Sequence, residues 1–255
     1  MKKLLCGLFI LLCAGVSFAQ STVIDIQKRG VLRVGMEAGY APFESIEDSG
    51  EFVGFDVDIA KSFADSLGVL VEFVDTPLDD LFPDLNAGKY DIIISGMTVI
   101  SERKTQVDFC TPYFAGGQAM LVAKNKAGQI KSFRDINQPN IHIVSKHGTY
   151  AADILQAFFR NAKLTLPDTV EDQVLQIVLD GKADVMVYDM PYLALAYAKH
   201  KDKLVFIDDP FTYEPFGAAV KKGNTSLRDA MNVHLEKIKA NGDYERIFSE
   251  WFGGK

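Results

Sequence analysis

Two segments of this 255-residue chain share one pattern, and it narrows the possible folds more than any other feature. Leu85-Asn86-Ala87-Gly88-Lys89-Tyr90-Asp91-Ile92-Ile93-Ile94 passes from a helix end through a glycine stop and a lysine to an aspartate that opens an apolar run. Leu179-Asp180-Gly181-Lys182-Ala183-Asp184-Val185-Met186-Val187-Tyr188 follows the same plan. Apolar runs without alternation are strands covered on both faces, as in the parallel sheets of α/β proteins. In open sheets of that kind ligands gather beyond the carboxyl ends of the strands. Those ends are Ser95-Gly96-Met97-Thr98 in one case and Asp189 in the other. Any two βα units look alike, so the echo gains its force from having polar residues at both ends.

The surrounding segments read the same way. Val31–Gly35 and Val69–Val74 have strand character, and Phe55, Ile59, Phe63 and Leu67 recur at helical spacing, with Asp56 as the predicted N-cap and Gly68 as the stop. Further on come a helix over 79–87, a strand over 141–144, helices over 151–159 and 170–179, and a strand over 183–188. Two helices close the chain, one over 226–240 capped by Ser226 and one over 243–252 after Gly242.

Composition excludes several classes. The chain is 48% hydrophobic and 24% charged, which rules out a disordered or coiled-coil protein. Its net charge of −7 argues against nucleic acid or an anionic membrane surface as partner. The histidines (His142, His147, His200, His234) are scattered, and no His/Cys cluster has metal-ligand spacing, so no metal or cofactor is expected. At the N-terminus, Lys2 and Lys3 precede an apolar run from Leu4 to Val16 and then Ser17-Phe18-Ala19. This is the pattern of a secretory signal peptide, expected to be cut after Ala19, and the run is too short to span a bilayer. Neither Cys6 nor Cys13 sits in a lipoprotein-type sequence. The expected product is exported, more acidic still, inserted in no membrane, and carries the single cysteine Cys110, so it has no internal disulfide.

The residues after the two echoed strands are chemically opposite. Ser95, Gly96 and Thr98, followed by Ser101-Glu102-Arg103 at a short helix, combine hydroxyls, free backbone amides and a guanidinium. That set suits a carboxylate, which arginine can grip with two parallel hydrogen bonds. Asp189 offers an acceptor for an ammonium group. A third polar turn, Lys146-His147-Gly148-Thr149, leads into a predicted helix whose amides also suit an anion. Singly, each has a plain alternative: Arg103 as a surface residue, Asp189 as an ordinary helix cap. Together, a carboxylate receptor and an ammonium receptor describe a site for a free α-amino acid.

At this point the sequence resembles a family. Gly54-Phe55-Asp56-Val57-Asp58-Ile59-Ala60, preceded by Tyr40-Ala41-Pro42-Phe43-Glu44 and followed by Ser101-Glu102-Arg103, is similar to the periplasmic amino-acid-binding proteins. These are the family 3 solute-binding components of ABC importers, here closest in pattern to histidine, lysine/arginine/ornithine and glutamine binders. The resemblance runs from about Val31 to Trp251. It implies an α/β, two-lobed periplasmic-binding-protein fold of type II, with two crossover hinge strands and the ligand in the cleft. The implied division is residues 20–117 plus 217–255 in one lobe and 118–216 in the other, with hinge strands near Gln118–Ala123 and Thr212–Val220. The implied partners are a free amino acid and an inner-membrane ABC permease, with the protein acting as a monomer in the periplasm.

Carried over residue by residue, the resemblance assigns Arg103 to the ligand's α-carboxylate, helped by Gly96, Thr98 and Thr149, and Asp189 to the α-ammonium with Ser95 assisting. Tyr40 would cover the ligand side chain, and Glu37 and Lys146 would touch its far end. Leu78 stands where an aromatic is common in the family, Glu37 replaces the usual aspartate, and Tyr150 replaces a small residue. Lys146 and the run Tyr188-Asp189-Met190-Pro191 resemble the glutamine binders. Two other readings have sequence-level content. The same fold hosts a periplasmic cyclohexadienyl dehydratase, for which Glu37, Lys146 and His147 would be the acid–base candidates. A receptor's sensor domain would need a separate membrane partner.

Overall fold

The structure is a computed structural model and describes residues 22–253; the expected leader over residues 1–19 lies outside the described residues. Helix α1 (Val23–Arg29) leads into β1 (Val31–Met36), a small hairpin of β2 (Ser45–Ile46) and β3 (Phe52–Val53), helix α2 (Phe55–Leu67) and β4 (Leu70–Asp75). After α3 (Leu81–Ala87) come β5 (Ile92–Ile93), β6 (Val107–Phe109), β7 (Phe114–Gly116) and β8 (Gln118–Ala123). Then follow β9 (His142–Val144), α4 (Tyr150–Phe158), β10 (Lys163–Thr165), α5 (Glu171–Leu179), β11 (Val185–Asp189), α6 (Met190–Lys199) and β12 (Leu204–Ile207). The chain ends with β13 (Glu214–Phe216), β14 (Ala219–Lys221), α7 (Thr225–Asn241) and α8 (Asp243–Phe252).

These strands form two five-stranded sheets, ordered β4-β1-β5-β14-β6 and β10-β9-β11-β8-β12. In each, the echoed strand pairs in parallel with a preceding strand and antiparallel with another: β5 with β1 and β14, β11 with β9 and β8. The molecule is therefore the two-lobed type II architecture. Between the sheets lies an antiparallel ribbon of β7 and β13, with Phe114 opposite Phe216 and Gly116 opposite Glu214. Of the segments expected to cross between lobes, 212–220 contains β13 and the start of β14. Gln118–Ala123 is β8, buried along its whole length within the second sheet.

The echo has a physical cause. Both glycine stops, Gly88 and Gly181, adopt the left-handed conformation that ends a helix. The aspartate that follows then pins the neighbouring strand: Asp91 accepts the Arg33 backbone N–H at 2.9 Å, and Asp184 accepts that of His142 at 2.8 Å. Each is also ion-paired, Asp91 with Arg29 and Arg33, Asp184 with Lys126.

Two predicted helix caps are corrected by the structure. Gly54, not Asp56, precedes the first turn of α2. Its φ is +142°, and a Cβ there would lie 2.0 Å from the Phe43 carbonyl oxygen, so only glycine lets α2 pass the Tyr40–Glu44 turn. Asp56, freed from capping, turns into the protein. Helix α7 is capped by Asn224, whose side chain accepts the Leu227 N–H at 3.3 Å. Ser226 instead accepts the Val23 N–H at 3.4 Å.

The ribbon rests on an aromatic cluster. Phe114 and Phe216 stack at 5.6 Å, and both pack on Phe43, with Phe252 of α8 5.0 Å from Phe114. Burying each such ring contributes roughly 1.5–3 kcal/mol. The ribbon is thus anchored to the first lobe by α8.

Candidate functional site

The carboxyl ends of β5 and β11 face one narrow cavity of about 40 Å³. That is far below the roughly 300–1,000 Å³ of small-molecule sites, so side chains from the two walls already fill most of the space a ligand would take. From the first lobe it is lined by Glu37, Tyr40, Leu78, Ser95, Gly96, Thr98 and Arg103, together with Glu44 and Met97. From the second come Thr149, Tyr150 and Asp189, together with Glu171 and Tyr188. Ten of the eleven residues singled out in the sequence therefore line one space. The eleventh, Lys146, lies behind the lining.

Arg103 opens a single helical turn after the β5 loop. Its guanidinium donates to the carbonyls of Thr98 and, across the cleft, Gly148, both at 3.3 Å. Burial lowers its pKa from the ordinary arginine value, against the nearby carboxylates of Asp153 and Asp189. Gly96 has φ +48°, and a Cβ there would come within 2.4 Å of the Tyr40 ring. The loop can therefore lie against Tyr40 only as glycine. Thr149 is the N-cap of α4; its hydroxyl accepts the Ala152 N–H and donates to the Lys146 carbonyl, so its polarity is spent within its own turn.

Asp189 occupies the cap position of α6, yet its side chain makes no capping bond. Its carboxylate instead accepts from the Tyr40 hydroxyl, across the cleft, and from the Gln118 amide. Burial raises its pKa, opposed by those two donors and by Arg103. Tyr40, expected to cover a ligand side chain, thus reaches Asp189 while its ring stacks on Phe43 at 4.9 Å. Ser95 donates to Glu44 at 2.6 Å and accepts the Glu37 N–H at 3.1 Å.

The far end of the cavity is a charge cluster. Lys146, only 2% exposed at its side chain, pairs with Glu37 of the first lobe and with Glu171 of the second at 3.1 Å. Burial works to lower the lysine's pKa, but the two carboxylates prevail and hold it above the ordinary value. Two carboxylates around one ammonium leave this end with one negative charge. Tyr188 also donates to Glu171 Oε1, at 2.8 Å, whereas Glu171 Oε2 is buried without a hydrogen-bond partner among the described residues. The acid–base candidates of an enzyme are not poised for chemistry here: Glu37 and Lys146 are committed to each other, and His147 is exposed opposite Asp79.

Sequence reasoning assigned no role to Glu44, Glu171 or Tyr188. Glu44 closes the Tyr40–Glu44 motif, and Glu171 opens a predicted helix beside apolar neighbours, which was the only signal either carried. Behind Ser95 and Gly96, Asp56 accepts the Gly96 N–H at 2.6 Å and the Tyr113 hydroxyl at 2.7 Å, and burial pushes it up to about 7.

Comparison with known proteins identifies the family. A probable histidine-binding protein of Neisseria gonorrhoeae is 34% identical over 226 residues, which cover 87% of this chain and 83% of that protein. The crystal structure of an ancestral amino-acid-binding protein, a precursor of cyclohexadienyl dehydratase, superposes with a TM-score of 0.85 at 42% identity, over 90% of this chain and 99% of that one. A binding component of an ABC transporter from Wolinella succinogenes, complexed with lysine, gives a TM-score of 0.85 at 41% identity, over 89% and 97%. All three are named as binding proteins, not as enzymes. Residues 32–254 match one family over nearly the whole described chain, and the protein belongs to the bacterial extracellular solute-binding proteins, family 3.

Proposed function

We propose that this protein captures a free polar or basic L-amino acid between its two lobes and delivers it to an inner-membrane ABC permease. The observation that carries the reading is the placement of Arg103 and Asp189, opposite in charge, on opposite walls of one small cavity. Arg103, with Thr98, receives the α-carboxylate, the Gly96 N–H being taken by Asp56; Asp189, with Ser95, receives the α-ammonium. The ligand side chain runs past Tyr40, Leu78 and Tyr150 toward Glu37, Lys146 and Glu171. The residual negative charge there, and the open Oε2 of Glu171, favour a basic or amide side chain, because a buried acceptor without a donor is costly. The names of the histidine- and lysine-binding relatives support the same class.

The lobes are residues 20–117 plus 217–255 and residues 118–216, working as a monomer in the periplasm once residues 1–19 are removed. Only closure brings both receptors to one ligand, so binding shifts the hinge equilibrium toward the closed form. Three or four charged hydrogen bonds at roughly 1.5–3 kcal/mol each, less ordering costs, give micromolar or tighter binding, about −8 kcal/mol. A thermal-shift panel of the twenty amino acids should show stabilisation by a few polar or basic members. Arg103→Ala should abolish that shift while melting as one cooperative unit. No stabilisation by any amino acid refutes the reading, and an unchanged shift in the variant refutes the site.

A further inference from the structure

The hydrogen bonds that hold Asp189 continue past the cavity into the ribbon between the lobes. Gln118, the first residue of β8, uses its side-chain NH2 twice, donating to Asp189 and to Glu214 Oε2 at 2.8 Å. Glu214 is the first residue of β13, the return strand of the ribbon, and its other oxygen accepts from the Thr212 hydroxyl at 2.7 Å. Thr212 in turn accepts the Gln118 backbone N–H at 2.7 Å. Gln118 and Glu214 are each 1% exposed. The Gln118 carbonyl Oε1 has no partner among the described residues.

Asp189 and Glu214 thus flank a single amide nitrogen, two carboxyl groups side by side and buried. Two carboxyl groups held this close and out of water resist ionising together, so one of them keeps a proton. The other ionisable groups acting on the pair come from both lobes: Arg103, which acts on both, Tyr40, which donates to Asp189, and Tyr188 beside Asp189. One guanidinium does not neutralise two carboxylates. A ligand brings a carboxylate to Arg103 as well as an ammonium to Asp189, but only the ammonium bonds the pair directly, where it takes the place of the retained proton as partner of Asp189.

Building on Asp189 as the ammonium receptor, we propose that Glu214 is a positioning residue. Through Gln118 and one proton shared with Asp189 it holds the receptor in place, and that proton leaves for solvent when a ligand's ammonium group binds. Before binding the pair carries one negative charge and one proton. After binding, both carboxylates are ionised, the ammonium keeps its three protons, and one proton has passed to the buffer. Burial, reinforced by Asp189, pushes the Glu214 carboxyl up to about 7, so the exchange falls near neutrality. Binding that releases a proton strengthens as pH rises. The device therefore makes ligand capture stronger above neutrality than below it and ties that dependence to a strand of the inter-lobe ribbon.

The test is calorimetric titration of the whole protein near pH 7 with L-lysine, L-arginine and L-glutamine, each in PIPES and in Tris, whose ionisation heats differ. The wild type should release roughly half a proton per ligand at that pH, and its affinity should rise several-fold between pH 6 and pH 8. Glu214→Gln keeps the side-chain shape and the acceptor facing Gln118; it should bind with equal heats in both buffers and a flat pH profile. Equal heats for the wild type, or proton release that persists in Glu214→Gln, overturn the proposal. The wild-type comparison alone decides the matter if the variant does not fold. Failure of all three amino acids to bind would instead refute the ammonium-receptor reading on which the proposal stands.

Discussion

Replacing Lys146 with methionine removes the one cation between Glu37 and Glu171 while nearly preserving the volume of the side chain. The lysine is 2% exposed at its side chain, as is Glu171, and Glu37 is 16% exposed, so water cannot take over the lost pairing in the closed form. Breaking a buried ion pair by removing one partner costs about 3–5 kcal/mol. That is a large share of the roughly 5–15 kcal/mol that holds a domain folded. Because Glu37 and Glu171 stand on opposite lobes, their repulsion also favours the open cleft, so ligand affinity should fall together with stability. The penalty depends on both carboxylates being ionised. It should be greater at pH 8 than at pH 5, because Glu37, whose carboxyl burial pushes up, is the one that takes up a proton as pH falls. Urea unfolding at those two pH values, with calorimetric titration of L-lysine beside it, measures both effects. Adding Glu37→Gln should recover part of the loss. A penalty below about 1 kcal/mol at both pH values would show that the cluster is not the buried ion triad described here.

Stability of the unliganded protein should decline with rising pH. Asp56 and Glu214 are both pushed up to about 7 by burial. Between their ordinary range near 4 and that value the folded state holds more protons than the unfolded one, so the free energy of unfolding falls across the window and levels off above it. The fall is at most about 4 kcal/mol for Asp56 and about 3 kcal/mol for Glu214, and Glu214→Gln should remove the second part. Urea midpoints between pH 5 and pH 8 check the sign; a rising midpoint contradicts it. Gly96→Ala should lower the melting temperature, with a cost of roughly 1–3 kcal/mol from a left-handed alanine pressed on Tyr40, and should weaken amino-acid binding more than tenfold. Calorimetric melts and titrations of the same sample separate the two effects.

Much of the fold was legible because glycine punctuates it. Gly68, Gly88, Gly181 and Gly242 each stand at a predicted helix boundary, and the apolar runs after Asp91 and Asp184 sit inside their sheets, each between a parallel and an antiparallel neighbour. Helix α6 gave no comparable signal: Met-Pro-Tyr-Leu-Ala-Leu-Ala-Tyr-Ala-Lys is apolar on nearly every side and shows no stripe. The two cap assignments failed for one reason. Asp56 and Ser226 are ordinary capping residues, but each is claimed by a tertiary partner, Gly96 in one case and Val23 in the other. Most of the cavity residues could be read from local motifs and the family resemblance. The groups behind them could not, because Glu44–Ser95, Asp56–Gly96 and Gln118–Glu214 join positions 51, 40 and 96 residues apart.

The central claim is that both ends of an α-amino acid are gripped at once, its carboxylate by Arg103 and its ammonium by Asp189. Calorimetric titration of L-lysine, of cadaverine, which lacks the carboxylate, and of 6-aminohexanoate, which lacks the α-ammonium, tests it most directly. Each missing group removes charged hydrogen bonds worth roughly 1.5–3 kcal/mol apiece and leaves its receptor unpaired. L-Lysine should therefore bind at micromolar concentration or below, and each analogue at least 100-fold more weakly. Binding of either analogue within a few-fold of L-lysine would contradict the account.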